Sequence, residues 1–240
     1  MYNSRRRAAR PPVPPDLPPG RVINLPGRGE VFARDSGGTP GGRAVLLLHG
    51  WTASADLNFF PVYGSLAGSY RVIALDHRGH GRGIRSAEPF SLEDCADDAA
   101  ELVRRLGAGR VIVVGYSMGG PVGLLLARRH PGLVTALVMQ ATALEWHQTA
   151  GRALGRYDAR PWAGQLGLPA VSLITTRDRL VRPARQRELA EALHACVVEV
   201  DADHDLPGNQ GRRIRRPDQA GCRHPGGEAQ GPYRVSFRRS

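Results

Sequence analysis

The stretch "VVGYSMGGPVG", residues 113–123, joins an apolar run to a group of glycines around Ser117. The apolar run is typical of a buried strand, and the residues after it have a helical pattern. Glycine weakens both strands and helices, so a serine between Gly115 and Gly119 needs a local reason. Two interpretations are open here: an ordinary strand-to-helix turn that contains a serine, or a sharp turn that projects a nucleophilic hydroxyl.

Apolar runs of the same kind recur along the chain and alternate with helical patterns. Strands are predicted at residues 43–50, 71–76, 110–115, 135–141, 170–176 and 196–200, and two short strands are predicted around the turn "LPGRGE". Helices are predicted at residues 91–107, 118–130 and 183–194. Strands that alternate with helices predict an α/β fold, with a mostly parallel sheet covered by helices on both faces.

The chain of 240 residues is long enough for one domain with a sizeable core. Residues 1–21, rich in Pro and Arg, are predicted to form a disordered arm, residues 22–207 the domain, and residues 208–240 a disordered basic tail. The net charge of +11 lies mainly in the arm and the tail, so no specific nucleic-acid binding is expected. No apolar run approaches the roughly 18 residues that a membrane span requires, so no span is expected.

The three cysteines lie far apart in the sequence, at Cys95, Cys196 and Cys222. They lack the spacing of metal ligands, and their odd number predicts reduced thiols and a cytoplasmic location. The sequence contains neither a metal-binding cluster nor a glycine-rich loop for phosphate. We therefore predict no metal and no cofactor.

Polar residues follow several of the predicted strands at the edge where the carboxyl ends of parallel strands meet, which is where functional groups collect in such sheets. Ser117 follows one strand, and Asp178 and His204 follow the last two. Each has a structural alternative: Ser117 as a helix cap, His204 as a turn residue, and Asp178 as the surface partner of Arg177 or Arg179.

The motifs "LLLHGW", "DHRGHGRG", "GYSMGG", "TTRDRLVRP" and "DHDLP" appear in an order that resembles the α/β-hydrolase superfamily over residues 22–207. The resemblance implies that Ser117 is the nucleophile and His204 the general base. It also implies that Asp178 orients the imidazole and stabilises it once it is protonated.

The resemblance assigns the oxyanion hole to the backbone N–H groups of Trp51 and Met118 and the sharp turn to Gly115 and Gly119. The chain departs from the family in two places. The cap, at about residues 143–169, is short, and the tail lacks the amphipathic helix with which relatives end. A short cap leaves an open pocket and few residues that would identify the substrate.

A serine at the turn predicts a carboxylic ester hydrolase that acts on a small-molecule ester, lactone or thioester through an acyl-enzyme. Two alternatives remain: a C–C bond hydrolase, lyase or perhydrolase of the same superfamily, and a truncated protein without catalytic activity. The sequence does not predict the oligomeric state.

Overall fold

A computed structural model describes residues 17–38, 42–146 and 157–205. The strands are β1 (Gly20–Leu25), β2 (Gly29–Asp35), β3 (Ala44–Leu48), β4 (Arg71–Leu75), β5 (Val111–Tyr116), β6 (Val134–Gln140), β7 (Ala170–Thr175) and β8 (Cys196–Val200). The α-helices are α1 (Ala55–Phe59), α2 (Tyr63–Ala67), α3 (Leu92–Arg105), α4 (Gly119–Arg129) and α5 (Pro183–Ala192), and a short 3₁₀ helix covers Ala163–Gln165.

The six longer predicted strands correspond to β3–β8, and the three predicted helices to α3–α5. The domain starts earlier than predicted, because β1 begins at Gly20, which pairs with Arg34 of β2. The Asp35 N–H also donates to the Pro19 carbonyl at 2.9 Å. The predictions of disorder for most of the arm and for the tail concern residues 1–16 and 206–240, which lie outside the described residues.

The sheet has the order β1-β2-β4-β3-β5-β6-β7-β8. Strands β1 and β2 form an antiparallel hairpin, and β2 is antiparallel to β4. All other neighbouring strands are parallel. The predicted α/β fold with a mostly parallel sheet is confirmed, and the loops after β3, β5, β7 and β8 open at one edge.

The central strand β3 shows why its sequence is a continuous apolar run. Leu46 and Leu48 pack into the cluster that contains α3 and α4. Val45 and Leu47 pack into the cluster that contains α1 and α2 on the opposite face. Because successive side chains of a strand point to opposite faces, a strand covered on both sides has no polar positions.

Helical cover of the second face is uneven. Helices α1 and α2 have only five residues each, and they contact β3 and β4. Beyond them, paired positions of β5–β8 on this face are only half-buried, among them Val114, Val138, Val171 and Leu173. The tail, where the sequence predicts that a covering helix is missing, is outside the described residues.

Adjacent valines of β5 allow the two faces to be compared. Val113 is fully buried, whereas Val114 is half-buried. We expect Val113→Thr to lower the free energy of unfolding by about 1–3 kcal/mol, because its hydroxyl would enter the core without a partner. The matched change Val114→Thr should cost under about 0.5 kcal/mol. Urea denaturation of both variants measures this difference, and equal losses would show that both faces of β5 are fully buried in solution.

The cysteine prediction is wrong for one residue. Cys196, at the start of β8, is disulfide-bonded, whereas Cys95 is a free thiol inside the core. Cys196 therefore forms a disulfide despite the wide spacing of the cysteines in the sequence. The prediction of a cytoplasmic location assumed that all three thiols are reduced, so the cysteines no longer support it. Across residues 17–38, 42–146 and 157–205, no helix is long and apolar enough to cross a membrane.

Candidate active site

Ser117 lies in the sharp turn between β5 and α4. Its φ is +51°, a left-handed backbone conformation that residues other than glycine seldom adopt. A Cβ at Gly115 would lie 2.6 Å from the Gly119 carbonyl oxygen, and a Cβ at Gly119 would lie 1.9 Å from the Leu48 carbonyl oxygen. The Ser117 N–H donates to the Gln140 carbonyl at 2.9 Å, so β6 helps to hold the turn.

The structure brings the three predicted site residues together from three separate loops. The distance from Ser117 Oγ to His204 Nε2 is 3.0 Å. The distance from His204 Nδ1 to Asp178 Oδ2 is 2.9 Å. An ionised carboxylate only accepts hydrogen bonds, so Nδ1 carries the imidazole proton, and Nε2 is left to accept from the serine hydroxyl.

The Asp178 carboxylate is buried and fully hydrogen-bonded. One oxygen accepts the backbone N–H groups of Leu180 and Val181 at 2.9 and 2.8 Å. The other accepts from His204 and from the Thr175 hydroxyl, the latter at 3.0 Å. Burial alone would raise the pKa of Asp178, but the hydrogen bonds from His204 and Val181 outweigh it and hold the pKa below its usual value. The group is therefore a carboxylate at neutral pH.

The surface alternative for Asp178 does not match this arrangement. Arg177 pairs instead with Asp201, at 2.8 Å. Within the described part of the chain, no arginine forms an ion pair with Asp178, whose side chain is fully buried. Asp178 faces the interior because its two loop N–H bonds turn the carboxylate toward His204.

Histidine contacts determine how the peptide group between Gly50 and Trp51 is oriented. The backbone N–H of His77 donates to His49 Nε2 at 2.8 Å, so Nδ1 must carry the ring proton. Nδ1 therefore donates to the Gly50 carbonyl at 2.7 Å, and the Gly50 N–H donates to Asn58 Oδ1 at 2.9 Å. Because C=O and N–H point in opposite directions across a trans peptide, the Trp51 N–H points away from His49.

The two predicted oxyanion donors lie beside the nucleophile turn. Met118 follows Ser117 directly at the start of α4, where helix N–H groups have no intrahelical acceptor. A Cβ at Gly50 would lie 3.2 Å from Ser117 Cβ, so the Trp51 loop packs against the turn. Neither the Trp51 nor the Met118 N–H has an acceptor in residues 17–38, 42–146 and 157–205. Whether these two N–H groups form an oxyanion hole is therefore part of the proposal below.

Three of the other described histidines, His49, His80 and His130, form hydrogen bonds with groups other than Ser117. Burial lowers the pKa of His49 to about 4, and it holds the pKa of His77 well below its usual value. Both rings are therefore neutral at physiological pH. His80 Nδ1 lies 3.0 Å from the Arg78 carbonyl oxygen. His130, at the end of α4, has its Nε2 2.8 Å from Asp97 of α3.

Comparison with known proteins identifies the family. Residues 43–161 match the model of the α/β-hydrolase fold, and solved structures of this fold superpose on most of the chain. The chain belongs to the α/β-hydrolase superfamily.

Among curated relatives of this α/β-hydrolase, a putative carbamate hydrolase RutD of Caulobacter vibrioides is 36% identical over 104 residues, which cover 43% of this chain and 39% of the relative. The 2-(acetamidomethylene)succinate hydrolase of Mesorhizobium japonicum is 34% identical over 112 residues, which cover 47% of this chain and 39% of the relative. The chain thus spans about two fifths of the length of these relatives.

Solved structures agree with the α/β-hydrolase fold over a longer stretch. The enol-lactonase of Burkholderia xenovorans has a TM-score of 0.68 at 23% identity and covers 77% of this chain and 93% of its own. A thermophilic esterase of Thermogutta terrifontis has a TM-score of 0.68 at 22% identity and covers 80% and 93%. At these identities the likeness concerns the fold.

The segment that the sequence analysis predicts as the cap, at about residues 143–169, is partly described. An isolated bridge joins Glu145 to Asp158, and the 3₁₀ helix follows; residues 147–156 are outside the described residues. The Glu145 carboxylate forms ion pairs with Arg160, at 2.8 Å, and with Arg185. Asp158 also pairs with Arg160, at 2.7 Å, so both acids are bound to arginine.

Several residues that build the site were not found from the sequence. Gln186, on α5, is buried, and its Nε2 lies 3.2 Å from Asp178 Oδ2 and 2.9 Å from Thr175 Oγ1. The sequence signal that could have identified Gln186 is a polar residue on the buried side of a predicted helix. Asn58 and Tyr116 gave none, because their contacts depend on how loops meet in the fold.

In the described residues, no three or more side chains of His, Cys, Asp or Glu come together as a metal site.

Proposed function

We propose that the protein is a serine hydrolase that cleaves a small-molecule ester, lactone or thioester. The observation that carries the proposal is the continuous chain of contacts from Ser117 Oγ through the His204 ring to the Asp178 carboxylate, at 3.0 and 2.9 Å. The names of the relatives support the reaction class. Carbamate hydrolase, enol-lactonase and esterase share an acyl carbon bonded to a heteroatom leaving group.

In the first half of the reaction, Ser117 Oγ attacks the acyl carbon, and its proton passes to His204 Nε2. The imidazole is then a cation, which the ionised Asp178 stabilises. Negative charge develops on the carbonyl oxygen, where the N–H groups of Trp51 and Met118 donate to it. Preorganised donors of this kind contribute roughly 10²–10³ each to the rate.

The tetrahedral adduct then collapses, the bond to the leaving group breaks, and the His204 proton goes to the leaving oxygen or sulfur. In the second half, water attacks the acyl-enzyme while His204 takes its proton. Collapse returns that proton to Ser117 Oγ and releases the acid. Each proton taken by His204 is returned, so the cycle needs no further reactant.

A second candidate function is perhydrolysis, in which hydrogen peroxide replaces water in the second half and the product is a peracid. It is favoured by one relative, a non-heme haloperoxidase of Rhodococcus erythropolis that is 37% identical over 111 residues. C–C bond hydrolysis is a third candidate, and it would require a carbon leaving group stabilised as an enolate. All three reactions share the Ser117 nucleophile.

A fluorophosphonate probe tests the nucleophile directly. We expect the probe to add one adduct mass to the native protein, on the peptide that contains Ser117, because only an activated serine reacts with it. Ser91→Ala is the matched control, since Ser91 caps α3 and takes no part in the site. That variant should label like the wild type. A native protein that does not label, or labels at another serine, would contradict the proposal.

Turnover by the unlabelled enzyme separates hydrolysis from perhydrolysis. We expect turnover of p-nitrophenyl acetate, a lactone or a thioester in water, with the acid as product. Peracid in excess of acid under hydrogen peroxide would favour perhydrolysis instead.

A further inference from the structure

Tyr116 links the nucleophile turn to the loop that carries His204. It is the last residue of β5, directly before Ser117, and its side chain is buried. Its hydroxyl donates to the His204 backbone carbonyl at 2.9 Å. The two rings lie with their centroids 5.5 Å apart and their planes tilted by 38°.

The same ring also contacts the loop of the predicted oxyanion donor. A Cβ at Gly50 would lie 3.0 Å from Tyr116 Cε1, so the loop passes directly over the tyrosine ring. Tyr116 belongs to the apolar cluster with Phe59 and Tyr63, and packing in this cluster holds the ring in place. One side chain therefore lies against both loops that must be aligned with Ser117.

The loop that carries His204 is also held by Arg177 and by the contacts of the His204 ring. The Arg177 N–H donates to the Ala202 carbonyl at 2.9 Å, two residues before His204. Among residues 17–38, 42–146 and 157–205, the Tyr116 hydroxyl forms the only hydrogen bond to the main chain of His204. Since His204 is partly buried, this bond favours one position of the loop.

We propose that Tyr116 is a positioning residue. Its hydroxyl holds the His204 main chain in the position that places Nε2 within hydrogen-bonding distance of Ser117 Oγ. This role rests on the proposed hydrolase function. The hydroxyl touches neither substrate nor the reacting atoms. It acts through the backbone of the general base, so its loss affects the proton-transfer step more than binding.

The test is Tyr116→Phe, which keeps the ring and removes only the hydroxyl. Tyr63→Phe is the matched control, because Tyr63 lies in the same apolar cluster and its hydroxyl contacts Asp56, at 3.3 Å, away from the site. We expect Tyr116→Phe to lower kcat about tenfold with KM within twofold, since small displacements of a catalytic group have large effects on rate. Amide hydrogen exchange of residues 201–205 should become faster. Tyr63→Phe should change neither quantity.

The exchange measurement keeps this inference separate from the proposed function. If the wild-type protein neither labels nor turns over, the hydrolase proposal fails, and exchange at residues 201–205 alone decides whether Tyr116 anchors the loop. Unchanged exchange in Tyr116→Phe would overturn the inference. So would faster exchange with wild-type kcat in an active enzyme, and so would an equal loss of kcat in Tyr63→Phe.

Discussion

Ser117→Ala is expected to lower the hydrolysis of p-nitrophenyl acetate to the rate without protein. Alanine lacks the hydroxyl that forms the acyl-enzyme, and loss of a triad serine costs on the order of 10⁶ in kcat. The fold should persist, because the Ser117 N–H bond to the Gln140 carbonyl does not depend on the side chain. Alanine also adopts a φ of +51° with no greater difficulty than serine. Initial rates and circular dichroism measure the two effects.

Ser117→Gly is the companion variant. Glycine adopts the left-handed conformation freely, so this variant should be as inactive as Ser117→Ala without a loss of stability from backbone strain. Activity in either variant would show that another residue attacks the substrate.

The central sheet could be predicted from the sequence because it depends on local signals. Strand β3 is apolar at every position, as burial on both faces requires. Helix α3 is capped by Ser91, whose side chain accepts the Asp94 N–H at 3.0 Å. The short helices α1 and α2 were not predicted. With five residues each, they depend on packing against β3 and β4 rather than on periodicity.

The candidate site residues could be predicted because they lie in motifs of a known order. The residues that hold them in place could not be predicted from the sequence. Ser117, Asp178 and His204 lie in the segments that follow β5, β7 and β8, so topology alone brings them to one edge. Their distances depend on contacts between segments far apart in the sequence, such as the bond from the Tyr116 hydroxyl to the His204 carbonyl, which no pattern in the sequence encodes. The disulfide of Cys196 was missed for the same reason.

Asp178→Asn is expected to slow turnover by as much as ~10⁴ while the fold is preserved. The two loop N–H groups of Leu180 and Val181 require an acceptor, so the amide oxygen should take the place of Oδ1. The NH₂ group then faces His204 Nδ1, and it donates where the carboxylate accepted. The imidazole must accept at Nδ1 and carry its proton on Nε2. In that tautomer Nε2 cannot take the proton of Ser117, and the cation is no longer stabilised.

Asp201→Asn is the matched control for this change. Asp201 is an exposed acid at the end of β8 that pairs with Arg177, so its loss should leave kcat within about twofold, as is usual for surface changes. Steady-state kinetics of the two variants and the Nδ1 proton resonance of His204 measure the outcome. The resonance should vanish in Asp178→Asn and remain in Asp201→Asn. A loss of less than tenfold in Asp178→Asn would place the orienting acid elsewhere, and Glu145 and Asp158 would then be substituted next.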